Sequence, residues 1–395
     1  MQNDKRRATG KNTYLLVDVV LLVVFTCAIY FLLYQQTQYK QEVGLYQADL
    51  VDHINTALSG KGYSLISASF RWIYACVPSI HGIVAFLVLV SLLTVFLIAF
   101  AIDKWTSIDG KGGCEWYMYV PLAITCTILT SIYIPFVYPY FYNGTCLTQP
   151  WHNSTYLLMR CLGMLVMIVY FQIEEHYLEH ISLKQMVIFT ILLALVNYAK
   201  PNFIIGFAPM MLIYLVQDFV RTRGKSCVQN VKFGICVLAS LPILYVQSTI
   251  LYPAGGESKI VFTLENVING LKNGQLFSIP IAGLVFPIVI TLMLKRKGRL
   301  SKKMRQSWVM WIISWGEKLF LTETGYRMYH GNFGWGCRFF SVFLVVVCIA
   351  EWIHVYKRHV LSRKEFLAGS FCLLLNILCS IYYFCYLLTG QLYTI

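Results

Sequence analysis

Eleven stretches of the sequence are apolar over about the length that a helix needs to cross a bilayer. They fall at about 14–35, 79–101, 116–138, 156–173, 184–199, 203–219, 233–251, 279–294, 307–321, 338–353 and 366–389. A spanning helix takes roughly 17–25 mostly apolar residues. The spacing therefore predicts an all-α polytopic membrane protein of about 11 transmembrane helices in one domain, 1–395. Charge agrees: 13% of the 395 residues are Asp, Glu, Lys or Arg, against about 25% in a soluble domain. The first stretch follows a basic N-terminus, but it is too long for a signal-peptide core and no small-residue cleavage site follows. It reads as a first span that stays. Lys200-Pro201-Asn202 separates two spans, and proline there ends one helix and forces a tight re-entry.

The net charge of +14 would suggest nucleic acid as a partner in a soluble chain. Here the basic residues lie in short clusters between apolar blocks. With the N-terminus in the cytoplasm, 22 Lys and Arg fall in inside segments and 9 in outside ones. That asymmetry sets the orientation, and an odd number of spans leaves the C-terminus outside. The long outside loops are then about 36–78, 139–155, 252–278 and 322–337. The partner is the membrane and not nucleic acid. The 13 cysteines lie mostly inside apolar blocks without a CxxC pair, which fits small apolar side chains better than a disulfide framework or zinc site.

The outside loops carry the polar chemistry. In the first, Leu50, Ile54, Ala57 and Leu58 recur at helical spacing, predicting an interfacial amphipathic helix ended by Gly60 and Gly62. Asp49, Asp52 and His53 stand at its start, where acidic residues also simply favour a helix N-terminus. In the second, Trp151-His152-Asn153 precedes a span. Trp151 suits a membrane interface, and Asn153 or Ser154 suits an N-cap. Asn143 and Asn153 also match the N-glycosylation pattern. Lys200 is either a snorkelling lysine or a cation that meets phosphate. The last large loop gathers Glu323, Arg327, His330 and Asn332 among glycines that permit tight turns and close backbone approach. On the inside, His176-Tyr177-Leu178-Glu179-His180 matches a metalloprotease pattern, but no third ligand accompanies it, and a solvated helix extension explains it better.

Together the loops resemble the bacterial GT-C superfamily of integral membrane glycosyltransferases. The resemblance rests on YQADLVDHI after the first span, on AKPNF, and on ETGYRMYHGNFGWG. It implies a GT-C-like fold in a bacterial plasma membrane, a polyprenyl-phosphate sugar donor, a glycan or lipid acceptor, and a role in cell-surface polysaccharide assembly. The acids of the first loop are separated by two residues, where many relatives have closer pairs. The catalytic acid is thus Asp49 or Asp52. His53, Trp151, His152, Asn153, Lys200, Glu323, Arg327, His330 and Asn332 are the candidate substrate-binding residues. Asp49 and Asp52 also offer hard oxygen ligands to a divalent cation, Mg or Mn. Two other readings compete. A polysaccharide polymerase or ligase uses the same chemistry on another acceptor. A lipid-linked glycan flippase or transporter would be expected to carry more charge in mid-membrane, and internal repeats are not visible here.

Overall fold

The computed structural model describes residues 2–108, 116–133, 150–251 and 258–391, with the backbone alone for residues 2–14, 150, 275, 279, 326, 329 and 330. Helix α1 (Gln2–Thr37) is followed by two short helices, α2 (Leu50–Leu58) and α3 (Leu65–Cys76). Then come α4 (Ile80–Thr106), α5 (Val120–Ile128), α6 (Ser154–Glu174), α7 (Leu183–Ala199) and α8 (Asn202–Arg221). Helices α9 (Cys227–Ser240) and α10 (Pro242–Leu251) form one apolar stretch interrupted before Pro242. The remainder is β1 (Ile260–Phe262), α11 (Glu265–Lys272), α12 (Gln275–Arg296), α13 (Lys302–Phe320), β2 (Leu321–Glu323), α14 (Gly334–Lys357) and α15 (Arg363–Leu388). Among the described residues, eight helical stretches are long and apolar enough to cross a membrane, and Trp116–Ile128 and Leu183–Ala199 are shorter apolar helices.

Helices α6 and α14 form the centre. In each, 78% of the apolar window is buried, against 17% for Cys227–Leu251, which faces outward. Close packing at the centre depends on absent side chains. A Cβ on Gly336 of α14 would lie 2.9 Å from the Asn202 carbonyl oxygen, and one on Gly206 of α8 would lie 2.6 Å from the Phe340 ring. Small residues let helices approach in this way where no hydrophobic effect drives them together.

The connections gather at two ends of the bundle. At one end Tyr46 donates to the Leu388 carbonyl, β1 pairs antiparallel with β2 with Ile260 opposite Glu323, and Asn266 donates to the Lys318 carbonyl. At the other, Lys302 meets Glu174 and, at 3.0 Å, Asp218, while Lys297 meets Glu365 at 3.1 Å. His176, Glu179 and His180 lie at this second end. Among the described residues no group of three or more His, Cys, Asp or Glu side chains is arranged to hold a metal.

The stretch expected as one span at 116–138 departs from a continuous helix. Helix α5 stops at Ile128, and the chain runs on without helix to residue 133; the rest of that stretch lies outside the described residues. Non-helical backbone at membrane depth survives only where protein groups satisfy it. Here Arg160, fully buried in α6, donates to the Thr127 and Cys126 carbonyls at 2.8 Å each. A cation belongs at a helix C-terminus, so this arginine has carbonyl partners in place of an acid. Asn376 donates to the Thr130 carbonyl at 3.1 Å, and the Thr130 N–H donates to Ser380 Oγ at 2.9 Å. The Ile132 N–H donates to the Ala282 carbonyl, beside a kink at Leu284 between Pro280 and Pro287 of α12.

The first loop differs too. Helix α2 is the helix expected there, with Leu50, Ile54 and Ala57 buried and Gly60 at φ +78° beyond its end. Helix α3 was not foreseen, because Ser67 and Ser69 interrupt its apolar face. The expected loops at 252–278 and 322–337 likewise hold β1 and α11, and β2 with a 3₁₀ turn (Gly325–His330). Arg160→Met should destabilise the protein by roughly 1–3 kcal/mol, since it strips two buried carbonyls of their donor. A thermal midpoint in detergent equal to that of the natural chain would contradict this role.

Candidate functional site

The segment Trp151–Thr155 ties together parts of the chain that are far apart in sequence. Residues Pro150–His152 make a 3₁₀ turn that presents Asn153 as the N-cap of α6. Asn153 Oδ1 accepts from the Tyr156 N–H at 3.1 Å and from Thr155 Oγ1 at 2.6 Å. Its amide nitrogen donates to Asp49 Oδ2 at 2.8 Å. His152 Nε2 lies 3.3 Å from Asp49 Oδ1, and the Asp49 N–H donates to the His152 carbonyl at 3.0 Å. The next two residues continue the pattern: Ser154 Oγ lies 2.6 Å from His53 Nδ1, and Lys200 Nζ donates to Thr155 Oγ1 at 3.0 Å. Each residue of Asn153-Ser154-Thr155 thus engages a different polar side chain.

Backbone order sets these positions. The helical turn of α2 places His53 one turn beyond Asp49. Lys200 closes α7, its N–H donating to the Val196 carbonyl, and Pro201 starts α8 at once. The Lys200 ammonium lies 5.0 Å from the Trp335 ring centre, and the Arg338 guanidinium lies 4.4 Å from the same centre.

Electrostatics separates the members. Burial would raise the Asp49 pKa, but the His152 hydrogen bond and charge, the His53 charge that exists only below about pH 4, and the Asn153 amide outweigh it and hold the carboxyl well below the usual range. It is a carboxylate at any physiological pH. Burial lowers His53 to about 4 against the opposing pull of Asp49, with Lys200 and His152 adding to the fall. The ring is therefore neutral near pH 7. Burial also lowers Lys200 to about 8; Asp49 opposes this, Arg338 and Arg327 reinforce it, and Glu323 opposes it.

A second group stands beside the first. Glu323 is buried, 2% exposed. Arg327 Nε donates to its Oε1 at 2.6 Å, and the Asn332 amide donates to its Oε2. Gly331, at φ +59°, turns the chain so that Asn332 faces back. Asn202 donates to the Asn332 carbonyl at 3.0 Å and to Glu317 Oε1 at 2.9 Å. This brace separates two cavities. One, of about 240 Å³, has polar walls of Thr155, Lys200, Asn202 and Arg327 and apolar ones of Ile205, Leu244 and Leu251. The other, of about 340 Å³, lies beneath α11. Glu323, Arg327 and Asn332 line both.

The structure thus brings Asp49, His53, His152, Asn153 and Lys200 into one network, with Glu323, Arg327 and Asn332 adjoining through the smaller cavity. Asp52 is exposed and has no hydrogen-bond partner among the described residues. Trp151 is buried between Phe25 and Phe384, with ring centres 6.5 and 5.7 Å away, and lines neither cavity. The His330 side chain and Asn143 lie outside the described residues. Each Asp49 oxygen has one side-chain contact, whereas Asp52, the other acid named for Mg or Mn, stands apart from this network. Sequence reasoning missed Ser154 and Thr155 as partners of His53 and Lys200, and it missed Asn202 and Arg338. The clue was that Asn-Ser-Thr has a hydroxyl or amide at every position, which the glycosylation pattern obscured.

No protein-family model matches the chain, and no curated protein is similar to it.

The double role of Asn153 is separable. Serine caps helices about as well as asparagine, whereas alanine costs roughly 0.5–2 kcal/mol. Asn153→Ala should lower the thermal midpoint in detergent, and Asn153→Ser should lower it much less. Equal falls would show that the cap is not what stabilises this end of α6.

Proposed function

We propose that the protein is a GT-C-type membrane glycosyltransferase. It moves a sugar from a polyprenyl-phosphate donor to a glycan or lipid acceptor, in cell-surface polysaccharide assembly at a bacterial plasma membrane. In this reading the chain passes the membrane eleven times. The eight long apolar stretches are joined by the two shorter helices and α13, the N-terminus is cytoplasmic, and the site faces outward.

The observation that carries the reading is an ionised carboxylate, Asp49, held by His152 and Asn153 next to a cation, Lys200, that borders an amphipathic cavity at the end of a helix bundle. A transfer of this kind needs both. The acceptor hydroxyl must lose a proton as it attacks the sugar carbon; Asp49, ionised and fixed, takes that proton late, once bonding to the carbon has made the attacking oxygen strongly acidic. Its two hydrogen bonds orient Asp49, and its partial exposure leaves room for a hydroxyl. As the bond from sugar to phosphate oxygen breaks, negative charge grows on the phosphate. Preorganised cations stabilise such charge best where water is scarce. Lys200 and Arg327 supply it from the cavity wall, and Arg338 adds to the local field. Neutral His53 positions Ser154 and stays out of the charge count.

The smaller cavity also fits the donor's dual nature. Its apolar wall comes from α8 and α10, and α10 faces outward. At about 240 Å³ it takes a headgroup, leaving the polyprenyl tail to lie along the bundle in hydrocarbon. Proton transfer by Asp49 and displacement at the sugar carbon occur in one step, so the anomeric configuration inverts.

The test is transfer from a polyprenyl-phosphate sugar in membranes. Asp49→Asn should lower the rate by about 100-fold or more, the usual scale of general-base catalysis, while Asp52→Asn stays near the natural rate. Full activity in a normally expressed Asp49→Asn variant would overturn the assignment. Lys200 gives a second test. A lysine with a pKa of about 8 is charged below that pH and neutral above it, so transfer should decline as pH rises through about 8. Lys200→Arg, charged throughout, should flatten that decline. An identical alkaline limb in both forms would remove Lys200 from phosphate binding.

A further inference from the structure

Helix α11 carries a stripe of amides. Asn266 and Asn269 lie on it and Asn273 caps its end, at i, i+3 and i+7, which is one helical face. All three line the 340 Å³ cavity, opposite Trp315, Lys318 and Arg338. Lys318 Nζ sits 4.8 Å from the Trp315 ring centre. The other side of the helix is apolar and bare: Leu264, Ile268 and Leu271, at i, i+4 and i+7, are 53%, 47% and 58% exposed. A short helix with one apolar and one polar face at the end of a membrane bundle lies in the bilayer interface. Lipid then takes the apolar side, and the amides hang over the cavity.

The chemistry of that stripe selects a ligand. An amide side chain offers two donors and an acceptor. Phosphate oxygens only accept and ammonium groups only donate, so either would leave half of each amide unused. Hydroxyl groups both donate and accept. Asn266 spends a donor on the Lys318 carbonyl at 3.2 Å. The side-chain amides of Asn269 and Asn273 have no partner among the described residues and are exposed. The volume falls in the range of about 300–1,000 Å³ typical of small-molecule sites, and Trp315 adds an aromatic surface for the C–H face of a ring. We propose that this cavity binds a carbohydrate through its hydroxyls, and that the sugar is a part of the acceptor glycan remote from its reacting hydroxyl, since Asp49 does not line the cavity. Only the word acceptor rests on the transferase reading; the carbohydrate site rests on the amide stripe.

The experiment uses the full chain, purified in detergent, labelled and applied to an array of neutral and acidic oligosaccharides. The natural chain should be retained by a defined set of glycans. The Asn269→Ala/Asn273→Ala double variant, altered only at exposed side chains, should lose at least ten-fold of that retention. Asp52→Asn, altered at an exposed side chain outside the site, should keep it. No retention of the natural chain, or retention undiminished in the double variant, overturns the proposal. Retention limited to acidic glycans and unchanged by the double variant also overturns it, by showing that Lys318 and Arg338 suffice. If Asp49→Asn transfers sugar at full rate while the double variant still loses glycan retention, the transferase reading fails and the carbohydrate site stands.

Discussion

The hydrogen bond from the Asn153 amide to Asp49 is the hinge of this end of the molecule. The same side chain starts α6, one of the two central helices, so the carboxylate is referenced to the most buried part of the bundle. A loop of some forty residues could otherwise place its acid in many positions. Ordering such a chain costs roughly 1–2 kcal/mol per residue, and α2 and α3 reduce that burden by packing Leu50, Ile54, Ile66 and Phe70 into the core. Ser154 and Thr155 then extend the same reference to His53 and Lys200. One short segment aligns groups drawn from α2, from the segment before α6 and from the turn between α7 and α8.

The same logic governs the interior. Low dielectric surroundings make an unpaired polar group expensive, so the interrupted stretch after α5 needs partners from three other helices. Arg160 serves the α5 C-terminus, Asn376 and Ser380 of α15 serve Thr130, and Ala282 of α12 serves Ile132. These contacts link the break in one segment to the kink in another. They account for polar side chains in α6 and α15 without assigning them a substrate.

Much of the architecture was legible because a bilayer imposes lengths: blocks of apolar residues translate directly into helices. Helix α2 was legible for a similar reason, since Leu50, Ile54 and Ala57 repeat at helical spacing. Helix α3 was hidden by serines on its buried side, and the break after Ile128 by a continuous apolar composition, because hydropathy says nothing of who pairs with a carbonyl. The site was legible as a set of loops but not as a set of contacts. Asp49 and Asp52 look alike in sequence; tertiary structure separates them, giving one two side-chain partners and leaving the other exposed. Trp151 looked like an interface residue or ligand contact and is packed between Phe25 and Phe384. Hydrogen bonds between residues about a hundred positions apart, such as His53 with Ser154, leave no periodic trace.

A glycosyltransferase breaks and makes bonds at the membrane surface, whereas a flippase only moves its lipid. The most direct measurement places the purified chain in liposomes that contain a polyprenyl-phosphate donor with a radiolabelled sugar, adds candidate acceptors, and follows the label. Label should leave the lipid and appear in a product containing acceptor, with the polyprenyl phosphate released. Label that stays on its lipid while that lipid crosses from one leaflet to the other would contradict the transferase reading.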